Sequence, residues 1–433
     1  MRTRALRVLV GVEDGAFADT LLGETLTENP LPPRDAALLT RLVYGAIAWQ
    51  ARLDWTLEAL SSRPLDGLDP ALRAALRLGL YQLLFLDRVP DHAAVSTSVQ
   101  LVKSESGKGA GGMANAILRR VLREGERPAP DADDDLAAHL AVHLSHPEWL
   151  VRRWLEQWGE ERTRTLLAAH QEAARTTVRC REPAARDAVL EALRADGIAA
   201  EPARFAPAAI DLPAASGRLG DAVGDGVVTH GEASQLVAGL LGAQPGERLL
   251  DLCAAPGGKT EMLSDQAGQS AAVIAADPAR GGIRRVQARG IPNVVRADGR
   301  QPPFRAGALD GVLVDAPCSG LGTLRGHPEI RWRRTPEDIT RLAQTQHAIL
   351  TAAAALVRPG GRIVYATCTL LREENEDVRD AFLRDHPGFE SVDCGSSVPE
   401  SAAGLIDETG ALRTAPDRDD LDGFFACILR RRV

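Results

Sequence analysis

Two cysteines in this chain each follow a stretch that predicts a buried β-strand. Cys318 stands in the run Asp315-Ala-Pro-Cys-Ser-Gly, and Cys368 stands in the run Thr367-Cys-Thr. In a parallel sheet both cysteines would lie at the carboxyl edge, where open α/β sheets bind their ligands. A thiolate at such an edge can attack an electrophilic ring. The pattern therefore predicts nucleophilic chemistry, with a disulfide or a metal-binding pair as the alternative.

The remaining four cysteines give a different indication. The sequence contains no Cys-x-x-Cys pair, which argues against a zinc knuckle or a redox pair, so reduced thiols are expected. Cys253 belongs to a glycine-rich run, whereas free cysteines elsewhere are usually small buried hydrophobic residues. We expect that structural role for Cys180, Cys394 and Cys427.

The glycine-rich run predicts a nucleoside-binding loop. Residues 249–260, LLDLCAAPGGKT, indicate a buried strand, a tight turn and a helix, which leaves backbone N–H groups free beside a ligand. Asp251, Asp277 and Asp298 each end one of three successive predicted strands, where a carboxylate can accept hydrogen bonds from ribose hydroxyls. The loop residues expected to bind the nucleoside cofactor are Cys253, Ala254, Ala255, Pro256, Gly257, Gly258 and Lys259.

The same run nearly matches the phosphate-binding loop of ATPases. Its spacing is close to G-x-x-x-x-G-K-[ST], and Val312-Leu-Val-Asp315 is similar to the strand whose aspartate holds magnesium. Against this interpretation, Cys253 replaces the first required glycine, and Pro256 stiffens a loop that has to wrap phosphates. An ATPase also gives Asp277 no role, so it remains the second hypothesis.

Composition limits the class of protein. At 433 residues the chain has about three times the length of a typical domain, which predicts two or three domains. No run approaches the roughly 20 apolar residues of a membrane span, and the N-terminus lacks a signal-peptide cleavage site, so a cytoplasmic protein is expected. The net charge of −8 excludes a generally basic nucleic-acid binder, and any RNA contact has to use local arginine patches.

The N-terminal part of the chain predicts helices only. Apolar residues recur at helical spacing over 38–53 and 72–83, and Asp69-Pro70 supplies an N-cap followed by proline at the first helical position. Further features predicted here are helices at 93–102 and 113–123, a Pro- and Asp-rich linker at 124–135, and a capping box at 145–148 that opens another helix.

The C-terminal part alternates strands and helices. From residue 246 onward this alternation predicts a doubly wound, parallel α/β sheet. Before it, short strand-like pieces over 177–228 surround a helix at 185–195 and indicate a small α+β module. The predicted strands of the large sheet are Arg248–Leu252, Ala272–Ala276, Asn293–Arg296, Gly311–Val314, Arg362–Ala366 and a final edge strand at Gly423–Leu429.

Several runs in the C-terminal half resemble one enzyme family. These are DLCAAPGGKT, DAPCSG followed by GTLRGHPEIRW, YATCTLLREENE, and GEASQ upstream of them. They are similar to the RNA cytosine-C5 methyltransferases of the NOL1/NOP2/Sun family. The N-terminal helices, which end in Ala114-Asn-Ala-Ile-Leu-Arg-Arg120, resemble the RNA-binding factor NusB. Together these resemblances imply a bacterial enzyme that uses S-adenosylmethionine and acts on 16S ribosomal RNA.

The resemblance also implies a multi-domain α and α/β architecture. An all-α, NusB-like domain is expected at 1–125 and a linker at 126–140. A helical connector with a small α+β module, ferredoxin- or RRM-like, is expected at 141–228. A Rossmann-like methyltransferase domain with a doubly wound, mostly parallel sheet is expected at 229–433. The protein is expected to be a monomer without a metal.

Roles for the site residues follow from the resemblance. Cys368 would attack C6 of a cytosine, Asp315 would hydrogen-bond the base, and Cys318 would assist release of the product. Asp277 would hold the ribose of S-adenosylmethionine, Asp298 would lie near the adenine, and Asp315 would be shared between cofactor and substrate. From the residues alone, the roles of Cys318 and Cys368 could be exchanged.

A third hypothesis is that the chain is a non-catalytic RNA-binding or ribosome-assembly protein. The two intact cysteines of the predicted active site argue against it. A target cytosine must leave its stack, so unpaired or opened RNA is the natural substrate. Three clusters of residues are candidate RNA contacts, although such a cluster is more often a solvated protein surface than a binding patch. They are Arg331, Trp332, Arg333 and Arg334; Arg284, Arg285 and Arg289; and Arg119, Arg120 and Arg123.

Overall fold

The chain divides into two compact units in a computed structural model that describes residues 1–213, 226–268 and 271–433. The first unit contains Met1–Ala173 together with Leu324–Arg333, and the second contains Ala174–Thr323 together with Arg334–Val433. The segment Leu324–Arg333 therefore leaves the second unit a few residues after Cys318 and belongs to the first.

The first unit is helical, as the sequence predicts. The apolar residues at helical spacing form one core, which includes Leu42, Leu53, Leu76 and Leu80. The Asp69 carboxylate caps the fifth helix by accepting from Ala71 N at 3.1 Å and Leu72 N at 3.2 Å, which confirms the predicted N-cap. The helices are α1 (Arg2–Glu13), α2 (Ala18–Glu28), α3 (Pro33–Ala48), α4 (Gln50–Leu60), α5 (Pro70–Phe85), α6 (Asp91–Glu124), α7 (Leu136–His143), α8 (Glu148–Ala169) and, within the segment Leu324–Arg333, the short helix α13 (Ile330–Arg333).

Of two local predictions in this unit, one is confirmed and one needs correction. The helices expected at 93–102 and 113–123 lie on either side of a break within α6 at Gly107, where φ is +87°. The capping box expected at Ser145 is wrong, because α8 begins at Glu148 after Pro147. The Ser145 hydroxyl accepts a hydrogen bond from Ala51 N at 3.0 Å instead, so a contact distant in sequence replaces the local cap.

A small antiparallel sheet begins the second unit. Its strands are β1 (Thr176–Cys180), β2 (Glu201–Pro202), β3 (Ala209–Leu212) and β4 (Val227–Thr229), in the order β2-β3-β1-β4. Helix α9 (Arg186–Ala195) packs Leu190 and Leu193 against Val178 and Ile210. This arrangement is the predicted α+β module, of which residues 214–225 lie outside the described part of the chain.

A larger sheet fills the remainder of the second unit. Its strands are β5 (Arg248–Asp251), β6 (Ala272–Asp277), β7 (Val294–Arg296), β8 (Leu309–Asp315), β9 (Val357–Thr367), β10 (Phe389–Val392), β11 (Leu412–Thr414) and β12 (Phe424–Arg431). Their order is β10-β12-β9-β8-β5-β6-β7, with β11 beside β12. The pairs within β7-β6-β5-β8-β9 are parallel, and β12 pairs antiparallel with β9, β10 and β11.

Alternate side chains of the parallel strands enter two separate cores, which shows that the sheet is covered on both faces. Leu249 packs with α10 and α11, whereas the adjacent Leu250 packs with α14 and α15. The sheet is therefore doubly wound, as predicted. The helices of this unit that follow α9 are α10 (Glu232–Gly239), α11 (Gly258–Ala267), α12 (Arg280–Ala288), α14 (Pro336–Leu356), α15 (Glu376–Asp385) and α16 (Pro416–Asp419).

The prediction of a final edge strand is wrong. β12 lies between β9 and β10, and residues Phe424–Leu429 are buried throughout. An unbroken apolar run such as FFACIL is typical of a strand that is covered on both faces. The segment Phe389–Val392 supplies the outer neighbour, and its short strand carried too little apolar pattern to predict.

Candidate active site

The structure brings the two predicted cysteines together at the carboxyl edge of the large sheet. β8 and β9 pair in parallel with Asp315 opposite Ala366, so the loops that follow them run side by side. The sulfur atoms of Cys318 and Cys368 lie 3.2 Å apart, and the Cys368 backbone N–H donates to the Cys318 sulfur at 3.3 Å. Both residues are half-buried free thiols, which suits groups that a substrate has to reach.

The surroundings of Cys318 oppose its ionisation. The hydrogen bond with Cys368 raises the pKa of Cys318 well above its usual range, and burial raises it further. The carboxylates of Glu374 and Asp315 act in the same direction. These surroundings favour the neutral thiol form of Cys318.

A lysine and an aspartate form an ion pair beside the cysteines. The Lys259 ammonium donates to Asp315 Oδ2 at 2.7 Å and lies 5.2 Å from the centre of the Phe424 ring. Burial by itself lowers the pKa of Lys259, but the Asp315 carboxylate outweighs it, and a negative charge on Cys368 adds to the net increase. A cation thus stands where it can stabilise negative charge on Cys368.

The glycine-rich run forms the predicted strand, turn and helix. Gly257 adopts φ +106° immediately before α11, a conformation that side chains rarely allow. The peptide bond between Ala255 and Pro256 is cis. Ala254 N donates to Ala276 O at 3.0 Å, so the loop is held against β6. Burial raises the pKa of Cys253 well above its usual range, which excludes it as a reactive thiolate at neutral pH.

Asp277 is fixed at the end of β6, next to this loop. Its Oδ2 accepts from Ala255 N at 3.2 Å, and its Oδ1 accepts from Ala279 N at 2.8 Å. A Cβ on Gly282 would lie 2.6 Å from Asp277 Oδ1, so only glycine permits this approach of α12. The carboxylate is therefore held in one orientation beside the loop, as an acceptor for hydroxyl groups requires.

Asp251, at the end of β5, leaves an unpaired acceptor next to the loop. Its Oδ2 accepts from the Thr260 hydroxyl at 2.6 Å, whereas its buried Oδ1 has no hydrogen-bond partner among the residues that the structure describes. Burial raises the pKa of Asp251 to about 7. A buried oxygen without a donor suits the neighbourhood of a ligand that carries donors, such as the amino group of an amino-acid-like cofactor.

Asp298 differs from the other acidic strand ends. It is exposed, and its carboxylate pairs with Arg300 at 2.6 Å. This hydrogen bond lowers the pKa of Asp298 to about 2. The structure therefore gives Asp298 a surface ion pair in place of an unpaired, ligand-facing oxygen.

Sequence reasoning missed a buried polar network behind the cysteines. Ser319 and Thr369, which directly follow the two cysteines, have hydroxyl oxygens 2.8 Å apart. Glu374 accepts from Ser319 N at 2.8 Å and from Gln346 Nε2 at 2.9 Å. The motif YATCTLLREENE contains Glu374, but a glutamate in a charged run gives no indication that its side chain is buried.

Within the arginine-rich stretch at 331–334, Arg331 does not have the exposure that the expected RNA contact requires. Arg331 is fully buried within the first unit, where it donates to Ser145 O at 3.0 Å. The Trp332 indole donates to Ile47 O at 2.8 Å, and Arg333 donates to Val12 O at 2.9 Å. Arg334, in the second unit, donates to Ser319 O at 2.8 Å. Burial thus removes Arg331 from the candidate RNA contacts, whereas Trp332, Arg333 and Arg334 use part of their hydrogen-bonding capacity on backbone carbonyls and stay candidates.

The other arginine clusters keep more exposure. Arg289 is ion-paired with Glu261 at 2.8 Å, whereas Arg284 and Arg285 lie on the solvent-facing side of α12. Arg120 pairs with Glu124 on the exposed face of α6.

Over residues 1–213, 226–268 and 271–433, no group of three or more His, Cys, Asp or Glu side chains is placed to hold a metal ion. Within those same ranges, none of the helices is long and apolar enough to cross a membrane.

A doubly wound sheet, with a glycine-rich loop after its first strand and aspartates at neighbouring strand ends, defines a Rossmann-like nucleoside-binding domain. Comparison with known proteins agrees with this class. Residues 238–430 match the family model described as 16S rRNA methyltransferase RsmB/F. Residues 1–123 match the NusB family, and residues 146–216 match the ferredoxin-like domain of RsmF/B-like methyltransferases.

Similar proteins extend over the whole chain. A probable ribosomal RNA small subunit methyltransferase B of Bacillus subtilis is 33% identical, covering 100% of this chain and 99% of its own length. The crystal structure of PH0851 has a TM-score of 0.84 at 25% identity and covers 99% of both chains. NSun6 of Pyrococcus horikoshii, solved with SFG, has a TM-score of 0.57 at 19% identity over 66% of this chain, a likeness of fold alone. The chain belongs to the RsmB/F family of 16S rRNA methyltransferases, which removes the support for an ATPase.

Proposed function

We propose that this protein methylates C5 of a cytosine in 16S ribosomal RNA through a covalent bond between Cys368 and C6 of the base. The observation that carries the proposal is the pair of sulfur atoms 3.2 Å apart, next to the Lys259–Asp315 ion pair. A single thiol would suffice for a simple nucleophile. Two thiols at one sheet edge suit a reaction in which one sulfur forms a bond and the other assists its release.

The loop Cys253–Lys259 and Asp277 would hold S-adenosylmethionine. The left-handed Gly257, the fixed Asp277 carboxylate and the unpaired Oδ1 of Asp251 fit a nucleoside that also carries an amino group. S-Adenosylmethionine, when bound there, would supply the methyl group. Because Asp298 is engaged by Arg300, we give it a weaker part in binding than Asp277.

In the first half of the reaction, the Cys368 thiolate adds to C6 of the cytosine. C5 of cytosine is a poor nucleophile, and the new S–C6 bond pushes an electron pair toward C5. Asp315 would hydrogen-bond the base at its N3 and N4 edge, while Lys259 keeps that carboxylate in place. The ammonium would also stabilise the negative charge that moves onto the ring.

In the second half, C5 would use this electron pair to take the methyl group, with S-adenosylhomocysteine as the leaving product. A base then accepts the C5 proton, and the S–C6 bond breaks. The electron pair of the C5–H bond restores the C5–C6 double bond, and the Cys368 thiolate is regenerated. Cys318 would assist this elimination. Its protonated state and its contact with the Cys368 sulfur suit a group that stabilises the departing thiolate.

The RNA substrate follows from the same geometry and from the family. The names of the relatives state that they act on small-subunit ribosomal RNA. A base has to turn out of its stack to reach sulfur atoms at a sheet edge, so an unpaired or opened segment is the expected target. With a net charge of −8, the protein has to rely on local arginines and on shape for binding.

The proposal is tested by transfer of a labelled methyl group from S-adenosylmethionine to unmodified 16S rRNA, followed by nucleoside analysis. Wild type is expected to give labelled 5-methylcytidine, and Cys368→Ala is expected to give none. A label in any other nucleoside would contradict the proposal. RNA binding without methyl transfer, on both naked rRNA and assembly particles, would favour the non-catalytic hypothesis.

A further inference from the structure

The first turn of α11 carries three consecutive polar side chains that contact different parts of the second unit. Lys259 donates to Asp315 at 2.7 Å, beside the cysteines, and Thr260 donates to Asp251 at 2.6 Å, at the end of β5. The third residue, Glu261, is buried and ion-paired with arginines of other elements. The proposed reaction uses the first two contacts and leaves the buried carboxylate of Glu261 without a role.

Glu261 meets the small α+β module because the periods of a strand and a helix match there. Arg179 in β1 and Arg181 directly after it are two residues apart, so their side chains leave the strand on one face. Glu261 and Asp265 are four residues apart and share one face of α11. Arg181 pairs with Glu261 and, at 3.3 Å, with Asp265, while Arg179 pairs with Asp265 at 2.7 Å. Ion pairs thus join the module to α11.

A second arginine connects Glu261 to the cofactor loop, Cys253–Lys259. Arg289, which directly follows α12, donates to Glu261 Oε2 at 2.8 Å. Its aliphatic stem lies against the loop, because a Cβ on Gly257 would be 3.0 Å from Arg289 Cδ. The Glu261 backbone N–H donates to Gly257 O at 2.9 Å. The left-handed Gly257 is therefore enclosed between the backbone of Glu261 and a side chain that the Glu261 carboxylate holds.

The Glu261 carboxylate holds its two close arginines on separate oxygens. Arg181 donates to Oε1 and Arg289 donates to Oε2, which compensates a charge that is only 3% exposed. Arg181 also has Asp265 as a partner, whereas among the described residues Glu261 is the only ion-pair partner of Arg289. The side chain of Arg289 is 28% exposed, so without the carboxylate it can turn into solvent. The position of its stem against Gly257 thus depends on Glu261.

We propose that Glu261 is a positioning residue for S-adenosylmethionine, which holds Arg289 against Gly257 and so keeps the cofactor loop in its binding conformation. Through Arg181, the same carboxylate joins this loop to the small module. The inference rests on the proposed function, because the ligand of the loop is proposed there. Glu261 does not touch the cofactor and acts through Arg289 and the loop. Arg289, a candidate RNA contact in the sequence, thereby receives a different role.

The test measures the affinity of the full chain for S-adenosylhomocysteine by isothermal titration calorimetry, without RNA. This ligand lacks the sulfonium charge, so the loss of a nearby negative charge does not by itself weaken its binding. Glutamine has the size of glutamate but offers one acceptor oxygen where two guanidinium groups need two. E261Q is therefore expected to raise the Kd about tenfold, because the loop is no longer held in its binding conformation.

A double-mutant cycle tests whether Glu261 acts through Arg289. R289M keeps an unbranched stem beside Gly257 but cannot bind the carboxylate, and it is expected to raise the Kd about as much as E261Q does. The double variant E261Q/R289M is expected to bind no more weakly than the weaker of the two single variants, because both changes break the same contact. R181Q is expected to raise the Kd less than about threefold, since Arg181 does not contact the loop.

E247Q is the matched control for loss of a carboxylate. Glu247 directly precedes β5 and accepts from Arg362 at 2.8 and 2.7 Å, so it forms a comparable ion pair at the opposite end of that strand from the loop. E247Q is expected to lower the thermal unfolding midpoint but to leave the Kd within about twofold of wild type. In methyl transfer, E261Q is expected to raise the KM for S-adenosylmethionine about tenfold and to change kcat less than about threefold, since the cysteines are untouched.

Four results would overturn the inference. They are a wild-type Kd in folded E261Q, additive effects of E261Q and R289M, an equal rise of the Kd in E247Q, and a loss of kcat in E261Q with an unchanged KM. If E261Q does not fold, R289M decides, because a wild-type Kd in that variant is equally contradictory. A wild-type chain that binds no S-adenosylhomocysteine would instead refute the proposed cofactor, so the two failures are distinguishable.

Discussion

Two stretches of the chain, 315–320 and 324–333, lie three residues apart and look equally suited to chemistry in the sequence. The first, DAPCSG, ends β8 and carries Asp315 and Cys318 to the edge of the large sheet. The second, LRGHPEIRWR, belongs to the helical unit, where Arg331 is completely buried. Within this second stretch, Ile330–Arg333 forms a short helix, α13.

The difference between the stretches lies in what their polar groups bind. In the second stretch Arg331, Trp332 and Arg333 all donate to backbone carbonyls of the helical unit. In the first stretch the Cys318 sulfur is hydrogen-bonded to the Cys368 sulfur and accepts from the Cys368 backbone N–H. A cluster of cysteine, arginine or tryptophan residues in a sequence therefore indicates that the protein requires these particular side chains. Whether the requirement is catalytic or structural depends on whether the polar groups keep unused capacity.

The largest expected effect is the loss of methyl transfer when the nucleophilic cysteine is removed. Cys368→Ala is expected to lower methyl transfer to 16S rRNA at least about 10³-fold, because no other group forms the bond to C6. Its thermal unfolding midpoint is expected to stay close to wild type, since Cys368 is half-buried and small. Cys394→Ala, which alters a buried cysteine outside the site, serves as the control and is expected to retain activity.

Arg331→Ala is expected to give the reverse pattern. Loss of the guanidinium leaves the carbonyls of Ser145, His170 and Leu324 without their donor in a buried place. The free energy of unfolding should fall by about 2–4 kcal/mol. The exposed Arg341, which pairs with Asp338 on the surface, is the control, and Arg341→Ala is expected to change stability by less than about 0.5 kcal/mol.

Denaturant unfolding measures both arginine variants. If Arg331→Ala were as stable as wild type but unable to bind RNA, the second stretch would be a binding patch after all.

The two units are expected to respond to acid in opposite directions. Burial lowers the pKa of both His146 and His170 well below their usual range, and the neighbouring Arg331 adds to this. These histidines stay neutral in the folded unit, so their contribution to stability is lost as the pH falls below about 6.5. Asp251, with its pKa raised to about 7, contributes stability below about pH 4 that is lost as the pH rises to about 7.

The opposing slopes are measured as differences between wild type and variants from pH 4.5 to 7.5. The stability advantage of wild type over the double variant H146Q/H170Q should shrink toward low pH. The stability advantage of wild type over Asp251→Asn should shrink toward high pH. Each group contributes at most about 1.4 kcal/mol per pH unit. Slopes of the same sign for both comparisons would show that the charge environments are not as described.

The smallest effect concerns Trp332. Trp332→Phe keeps the ring in the helical core but removes the hydrogen bond from its indole to Ile47 O, which should cost about 1 kcal/mol. Affinity for 16S rRNA, measured at fixed salt, is expected to change less than about twofold. An unchanged stability with tenfold weaker RNA binding would instead identify Trp332 as a stacking platform.

Much of the fold could be predicted from local pattern. The parallel strands and the covering helices appear as apolar runs alternating with amphipathic segments, and Asp69-Pro70 marks a helix start by its own chemistry. What failed depended on contacts distant in sequence. Ser145 has capping-box spacing, yet its hydroxyl binds Ala51 N. The strand Phe424–Arg431 becomes internal only because Phe389–Val392 pairs with its outer side.

The candidate site was predictable where topology dictates it. Parallel strands deliver whatever follows them to one edge, so the meeting of Cys318, Cys368 and Asp315 follows from the strand pattern. The burial of Glu374 and the pairing of Asp298 with Arg300 do not follow, because charged residues near loops have no periodicity to indicate their orientation. The domain limits expected at 125, 140 and 228 stay predictions.

The most direct test of the central claim is covalent trapping on 16S rRNA in the presence of S-adenosylmethionine, analysed on denaturing gels and by peptide mapping. Cys318→Ala is expected to accumulate a protein–RNA adduct through Cys368, because bond formation proceeds and release is impaired. Cys368→Ala is expected to form none. An adduct through Cys318 in the Cys368→Ala variant, with none in Cys318→Ala, would contradict the assignment and exchange the two roles.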